Sequence, residues 1–241
     1  MPTKLLYQTD SYLKQFQAQV IESLPEKNAV ILDQTAFYPG GGGQVPDAGS
    51  ISFDGNTAIL KRAKFSAKGI LHILQSDQPL PPRGMPVTGH IDWEKRYKVM
   101  RTHTAMHVLC GTIFRDFGAL VTGGDMEPLK GRMDFEFENL TKDLVSIIEE
   151  AINKEVKAAH AVKVAILPRD EAFQIPDLIR TKINLLPKHI MEIRTIEIVG
   201  LDLQADGGTH VANTKEVGTI HISDYKSKGK INKRLYIALD A

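Results

Sequence analysis

The sequence predicts an α+β protein: a small β-barrel-like N-terminal domain, then an α+β domain with long helices packed on an antiparallel sheet. Three observations lead there. Residues 1–90 carry short apolar segments separated by Gly, Asn, Asp and Pro clusters. A long helical period without Pro follows, from Trp93 to Phe117. Beyond it, short strand-like runs bracket a second helical period at Lys142 to His160.

Taken in order, Phe16 to Ile21 (FQAQVI) alternates polar and apolar residues, and Ala29 to Leu32 (AVIL) is a short apolar run before a turn. Ile51 to Phe53, Ala58 to Leu60, Ile70 to Leu74 and Val87 to Ile91 are further short strands, spaced as in a small barrel or sandwich. The Pro-rich stretch Gln78 to Pro86 is a stiff connection, and the domain boundary is placed near residue 91, giving domains 1–90 and 91–241. Tyr97, Met100, Thr104, His107, Val108, Gly111 and Phe114 then recur at helical spacing. Lys130 to Glu138 (KGRMDFEFE) alternates as a strand. In the second helix Leu144, Ile147, Ile148, Ala151, Ile152, Glu155 and Val156 fall three and four apart, with Thr141 placed to cap it. Strands are expected at Val162 to Ile166, Met191 to Ile198, Val217 to Ile222 and Leu235 to Leu239.

Composition narrows the function classes. The chain has 241 residues, 42% hydrophobic and 24% charged, which is ordinary for a globular protein and unlike a disordered one. A single Cys excludes an internal disulfide framework and any Cys-only zinc site. No apolar run approaches the roughly 20 residues of a membrane span, and the N-terminus lacks the apolar core of a signal peptide. A soluble protein of the reducing cytoplasm is expected. The net charge is +1, and the balance is even on both sides of residue 90, with 8 basic and 7 acidic side chains before it and 22 of each after it. A general electrostatic grip on nucleic acid is therefore not implied, and any such contact must be local.

The sharpest motif is His103-Thr-Ala-Met-His107. Two His at i and i+4 lie on one helix face, where both imidazoles can meet one metal ion. Asp206-Gly-Gly-Thr-His210 spaces two more donors by four residues across a tight turn. The candidate set is three nitrogens and one carboxylate: His103, His107, His210 and Asp206. Asp206 is equally readable as a turn-forming residue that caps its own loop. Cys110 is read as a small core residue. The pair is not a zincin motif, since Thr104 stands where that chemistry needs Glu, and the H-x-E and C-x-x-C of a zinc deaminase are absent.

The second motif is Thr35-Ala-Phe-Tyr-Pro-Gly-Gly-Gly-Gly-Gln44-Val-Pro-Asp47. Gly40, Gly41, Gly42 and Gly43 expose backbone N–H groups and allow positive φ. No Lys-Ser/Thr follows, so this is not a phosphate-binding P-loop. Phe37 and Tyr38 beside these donors suit an RNA end, with bases stacked on rings and phosphates on N–H groups. The plain alternative is a floppy surface turn.

Four segments in this order, TAFYPGGGGQVPD (35–47), RTHTAMH (101–107), GRMDFEF (131–137) and DGGTHVANTKEVG (206–218), resemble the editing domain of alanyl-tRNA synthetase and its free-standing relatives, the AlaX family, in the medium-length form (AlaX-M). The resemblance implies a trans-editing hydrolase that deacylates mischarged tRNA(Ala), releasing serine or glycine, with one zinc ion per chain. It implies His103, His107 and His210 as zinc ligands. Most members carry Cys where this chain has Asp206, which leaves that ligand open. Thr35 and Gln44 match polar positions near the family's pocket; with Thr104 and Thr209 they are candidate catalytic residues that read the substrate hydroxyl. Rejection of alanine would follow, because a site built to hydrogen-bond a hydroxyl discriminates well against an analogue lacking it. The glycine run, Arg101, Arg132, Lys226, Lys228 and Lys230 are candidate tRNA contacts, with Lys233 and Arg234 in the same basic run. Arg132 is equally placed to pair with an acid such as Glu136. The rival readings are a zinc-stabilised tRNA-binding module without hydrolysis, editing of Ser-tRNA(Thr), and a metal hydrolase acting on a small ester. Oligomeric state, monomer or homodimer, stays open.

Overall fold

The computed structural model describes residues 3–180 and 190–241. The chain divides into two compact units, Met1–Tyr97 and Lys98–Ala241.

In the first unit β1 (Lys4–Leu5) pairs in parallel with β4 (Gln34–Thr35). Six strands close a barrel: β2 (Gln15–Leu24), β3 (Ala29–Leu32), β5 (Gly49–Phe53), β6 (Asn56–Ser66), β7 (Gly69–Leu74) and β8 (Pro86–Ile91), in the order β2-β3-β7-β6-β5-β8. Alternation fixes which side chains face inward. Phe16, Ala18 and Val20 of β2, Ala58, Leu60 and Ala63 of β6, and Val87 and Ile91 of β8 fill the barrel together with Phe37 and Ile51. Closure removes the open sheet edges. Gly49 and Gly89 permit the close approach of strands to side chains: a Cβ at Gly89 would lie 2.3 Å from the Phe16 ring, and one at Gly49 2.1 Å from the His90 carbonyl.

The division between units falls inside α1 (Trp93–Phe117). The second unit continues with β9 (Val121–Glu127), β10 (Lys130–Glu136), α2 (Lys142–Lys157), β11 (Val162–Pro168), α3 (Arg169–Ala172), β12 (Glu192–Ile198), β13 (Asp202–Ala205), β14 (Ile220–Ser227) and β15 (Asn232–Leu239). They form an antiparallel sheet in the order β14-β15-β10-β9 and a second sheet, β11-β12-β13. Thr141 caps α2, its hydroxyl accepting the Leu144 N–H at 3.2 Å. Asn153 and Glu149 tie α2 to β14: the Ile220 N–H donates to Asn153 Oδ1 at 2.9 Å and the Ile222 N–H to Glu149 Oε2 at 2.5 Å. Among the described residues no helix is long and apolar enough to cross a membrane.

Some boundaries differ from the sequence reading. The second helix ends at Lys157, because Ala159 takes a left-handed φ of 56°. The strand expected from Val217 starts at Ile220. Residues Thr214–Val217 instead form a short 3-10 turn, capped reciprocally by Asn213 and Glu216 and broken at Gly218, where φ is 75°. Four strands, β1, β4, β9 and β13, were not expected.

Candidate metal centre

α1 presents His103 and His107 one turn apart, with ring centroids 5.1 Å from each other. The loop after β13 brings up Asp206 and His210. The His210 centroid lies 4.1 Å from that of His103 and 4.7 Å from that of His107. Asp206 Oδ1 is 3.4 Å from His103 Nε2, and Oδ2 is 3.0 Å from His210 Nε2. One donor atom from each of the four side chains falls within 4.8 Å of all the others. The structure thus brings together residues that stand about a hundred positions apart.

The charge states suit a metal. Burial lowers the imidazolium pKa of His103 and takes that of His210 well below its ordinary value. Burial also opposes charge on His107, but its hydrogen bond to Asp202 and the charge of Asp206 outweigh it and raise its pKa. Burial would raise Asp206, yet the charge and hydrogen bond of His103 and the hydrogen bond of His210 hold it well below the ordinary carboxylate range. His103 and His210, held neutral beside the ionised Asp206, are donors that zinc accepts, and His107 must give up its proton to join them.

The surroundings fix these donors. The Gly208 N–H donates to Asp206 Oδ2 at 2.6 Å, so Asp206 does close the turn of its own loop while also facing the histidines. Arg194 of β12 donates from Nη1 to the Asp206 carbonyl at 2.9 Å and lies 3.7 Å from its Oδ2. Thr104 is fully buried; its hydroxyl oxygen accepts the Val211 N–H at 3.2 Å and lies 3.2 Å from His210 Nδ1. Thr209 is fully buried beside His210. Cys110 is buried, and burial pushes its thiol pKa up, which fits a core residue. The sequence reading missed Asp202, which lies 3.2 Å from His107 Nδ1, and Arg194. An acid inside the apolar run VGLDLQ was the available signal for Asp202.

In the first unit the glycine-rich loop is a braced structure and not a floppy turn. Gly40, Gly41, Gly42 and Gly43 all take positive φ, from 56° to 135°. Gly41 and Gln44 exchange backbone hydrogen bonds of 3.1 and 2.9 Å. Asp47 closes the base, accepting the Tyr38 N–H at 2.5 Å and pairing with the buried guanidinium of Arg96. Arg96 also donates to the carbonyls of Ser11 at 2.9 Å and Ala36 at 2.6 Å. One expectation is corrected: Phe37 and Tyr38 are buried, Phe37 in the barrel core and Tyr38 against Tyr7, so their rings are not a stacking surface for RNA bases. Thr35 and Gln44 are buried too. Thr35 Oγ1 accepts the Phe37 N–H at 3.1 Å and lies 2.8 Å from Nε2 of His72, a buried residue that no motif flagged.

The candidate cations divide. Arg101 donates to the carbonyls of Val217 and Asp240, at 3.1 and 2.7 Å from Nη2, and so ties α1 to the C-terminal segment. Arg132 lies 3.6 Å from Asp125, its opposite number on β9. Lys226, Lys228 and Lys230 are exposed on the β14–β15 hairpin, with Lys226 paired to Asp224 at 3.1 Å. Lys233 is buried on the carbonyls of Gly229 and Lys230, and Arg234 holds Asp134 through two bonds of 2.6 and 2.7 Å.

Two family models match: "tRNA synthetases class II (A)" over residues 7–95, and "Threonyl and Alanyl tRNA synthetase second additional domain" over residues 193–236. An alanyl-tRNA editing protein AlaX-M of Saccharolobus solfataricus is 43% identical over 97% of this chain and 98% of its own length. The chain belongs to the AlaX-M family. Its family relative in Methanosarcina acetivorans is 35% identical over 98% of the chain and 99% of its own length. Similarity also extends to the alanine–tRNA ligase of Ignicoccus hospitalis, 38% identical over 92% of this chain but only 24% of the ligase. AlaX-M members thus match this chain end to end, whereas the ligase carries the similar region as one part of a longer protein.

Proposed function

We propose that this chain is a trans-editing aminoacyl-tRNA hydrolase: it deacylates tRNA(Ala) carrying serine, or glycine, in place of alanine. The observation that carries the reading is the convergence of His103, His107, His210 and Asp206, donor atoms within 4.8 Å, in a chain of this family. These four residues would hold one zinc ion. Bound there with one position left open, the ion would supply Lewis acidity to a water or to the substrate's amino or hydroxyl group. Water adds to the ester carbonyl, the bond to the terminal ribose oxygen breaks, and free serine and uncharged tRNA are the products. An aminoacyl ester is already activated, so the protein's main task is to place the 3′ end.

In this reading the glycine loop offers backbone N–H groups to the RNA end, with Arg96 and Asp47 holding its base. Thr35, Gln44, Thr104 and Thr209 are the polar side chains assigned to the substrate hydroxyl. The Thr104 oxygen already faces His210 and Val211 N–H, which supports a role for Thr104 in holding the histidine. The exposed lysines 226, 228 and 230 are assigned to the tRNA backbone.

The test is release of serine from serine-charged tRNA(Ala), with alanine-charged tRNA(Ala) and serine-charged tRNA(Thr) as controls. Wild type and His103→Ala are compared, with bound zinc quantified in both. Serine release from tRNA(Ala) alone, lost together with zinc in the variant, is expected. Wild type that carries zinc, binds tRNA and releases nothing would overturn the reading in favour of a binding module.

A further inference from the structure

We propose that Asp202 is a positioning residue for the metal centre: it sets the tautomer and ring orientation of His107. The proposal rests on the metal-dependent reading above. Asp202 opens β13 with a fully buried side chain, and its Oδ2 lies 3.2 Å from His107 Nδ1. An imidazole whose Nδ1–H donates to a carboxylate presents the bare lone pair of Nε2 to an ion.

The carboxylate is held from both sides. Gln204 Nε2 donates to Oδ2 at 2.6 Å, and Arg180 Nε lies 3.3 Å from Oδ1. The Arg180 guanidinium rests 3.8 Å over the Phe114 ring of α1. The helix backbone itself makes room. A Cβ at Gly111 would sit 2.8 Å from the Asp202 Cβ and 3.1 Å from the Leu201 carbonyl oxygen, so only glycine lets α1 approach the start of β13 this closely. A buried Arg180–Asp202 pair alone would need neither this approach nor an oxygen aimed at His107.

Asp202→Asn gives a directional test. Arg180 can only donate, so it draws the amide oxygen to the Oδ1 position; the Gln204 amide, which now donates to Oδ2, can turn over and accept from the NH₂ group there, which faces His107. Nδ1 then becomes the acceptor, the proton moves to Nε2, and the nitrogen meant for the metal is blocked. Cobalt(II) and zinc(II) affinities are measured by competition with a chelator, together with the visible absorption of the cobalt protein. Affinity is expected to fall about 10–100-fold, with an altered cobalt spectrum. A merely structural Asp202 would change unfolding of the metal-free protein and leave affinity and spectrum as in wild type; that result overturns the proposal. Should the Asn variant not fold, ¹⁵N–¹H correlation of the histidine rings in zinc-loaded wild type decides: a proton on His107 Nδ1 supports it, a proton on Nε2 overturns it. If wild type binds neither metal, the metal reading itself falls, an outcome distinct from equal binding by wild type and variant.

Discussion

Lowering the pH should weaken the barrel unit through one residue, His72. Its side chain is completely buried on β7 between Thr35 and Val30, with Nε2 2.8 Å from the Thr35 hydroxyl and Nδ1 3.4 Å from the Val30 carbonyl. Burial lowers its pKa from 6.5 to about 4. Between those values the unfolded chain binds a proton that the folded chain does not. Stability is therefore full above about pH 6.5, falls as the pH drops through the window, and stops falling below about pH 4. Linkage with these two pKa values gives a loss of about 2 kcal/mol between pH 7 and about pH 5. The comparison is wild type against His72→Gln, which cannot titrate but keeps an amide oxygen for the Thr35 hydroxyl. Urea unfolding followed by fluorescence reports the same unit, because the chain's single Trp is Trp93. The wild-type stability should drop by about 2 kcal/mol more than that of the variant over this range. Equal pH dependence in the two proteins would refute the reasoning and show that His72 protonates without unfolding the barrel.

Arg96→Met leaves Asp47 buried without its counter-charge and should cost about 3–5 kcal/mol; an unfolding midpoint within a few degrees of wild type would show that the pair adds nothing net. Charge reversal of Lys226, Lys228 and Lys230 together should weaken tRNA binding and flatten its salt dependence, by about 0.7–0.9 in the log–log slope for each phosphate that is no longer neutralised. An unchanged slope removes the hairpin from the interface. Thr104→Val strips the buried Val211 N–H of its acceptor and His210 Nδ1 of its hydrogen-bond partner, and should cost about 1–3 kcal/mol in unfolding experiments, whereas Thr104→Ser should restore stability. Asp206→Asn keeps an acceptor for the Gly208 N–H but removes the charge, so zinc affinity measured by chelator competition should fall at least about tenfold; wild-type affinity would make Asp206 a turn residue only.

The barrel strands were legible because a closed sheet with a filled interior imposes a period of two on short segments, as in FQAQVI. α1 and α2 were legible through the helical period. β9 was not, because Gly123 and Gly124 erase the strand signal. For Gly124 a tertiary reason is visible: a Cβ there would come within 3.2 Å of the Met106 Cε on α1. The halves of the candidate metal centre were each visible as donors four residues apart, since local spacing puts them on one helix face or across one turn. No local rule joins the halves; donor chemistry alone grouped them as one candidate set, and the four-segment resemblance then supported its three histidines. Asp202, Arg194 and His72 escaped because their roles exist only once distant strands bring a carbonyl, a ring or a carboxylate to them. Phe37 and Tyr38 misled for the related reason that an aromatic beside a glycine run looks exposed in sequence, whereas here the rings are buried and Gly41 and Gly42 are exposed.

The two readings of Asp206 that spacing left open turn out to be compatible, and the geometry explains how. A turn consumes one lone pair on one oxygen: the Gly208 N–H takes Oδ2 at 2.6 Å. Oδ1 is aimed instead at His103, 3.4 Å away. The loop is further fixed to β12, where the Asp206 N–H donates to the Arg194 carbonyl at 3.1 Å and the Arg194 guanidinium donates to the Asp206 carbonyl. A carboxylate has enough acceptor sites to shape the loop and still face an ion. A thiolate at the same position is a poorer acceptor and could not close the turn as well, though it would be a softer ligand. In the proposed centre a carboxylate would thus be a harder ligand than a thiolate and would also shape its own loop. Arg194, beside the carboxylate, lessens the negative charge that the site presents to a cation. Affinity at this centre should therefore depend on Arg194 as well as on the donor atoms.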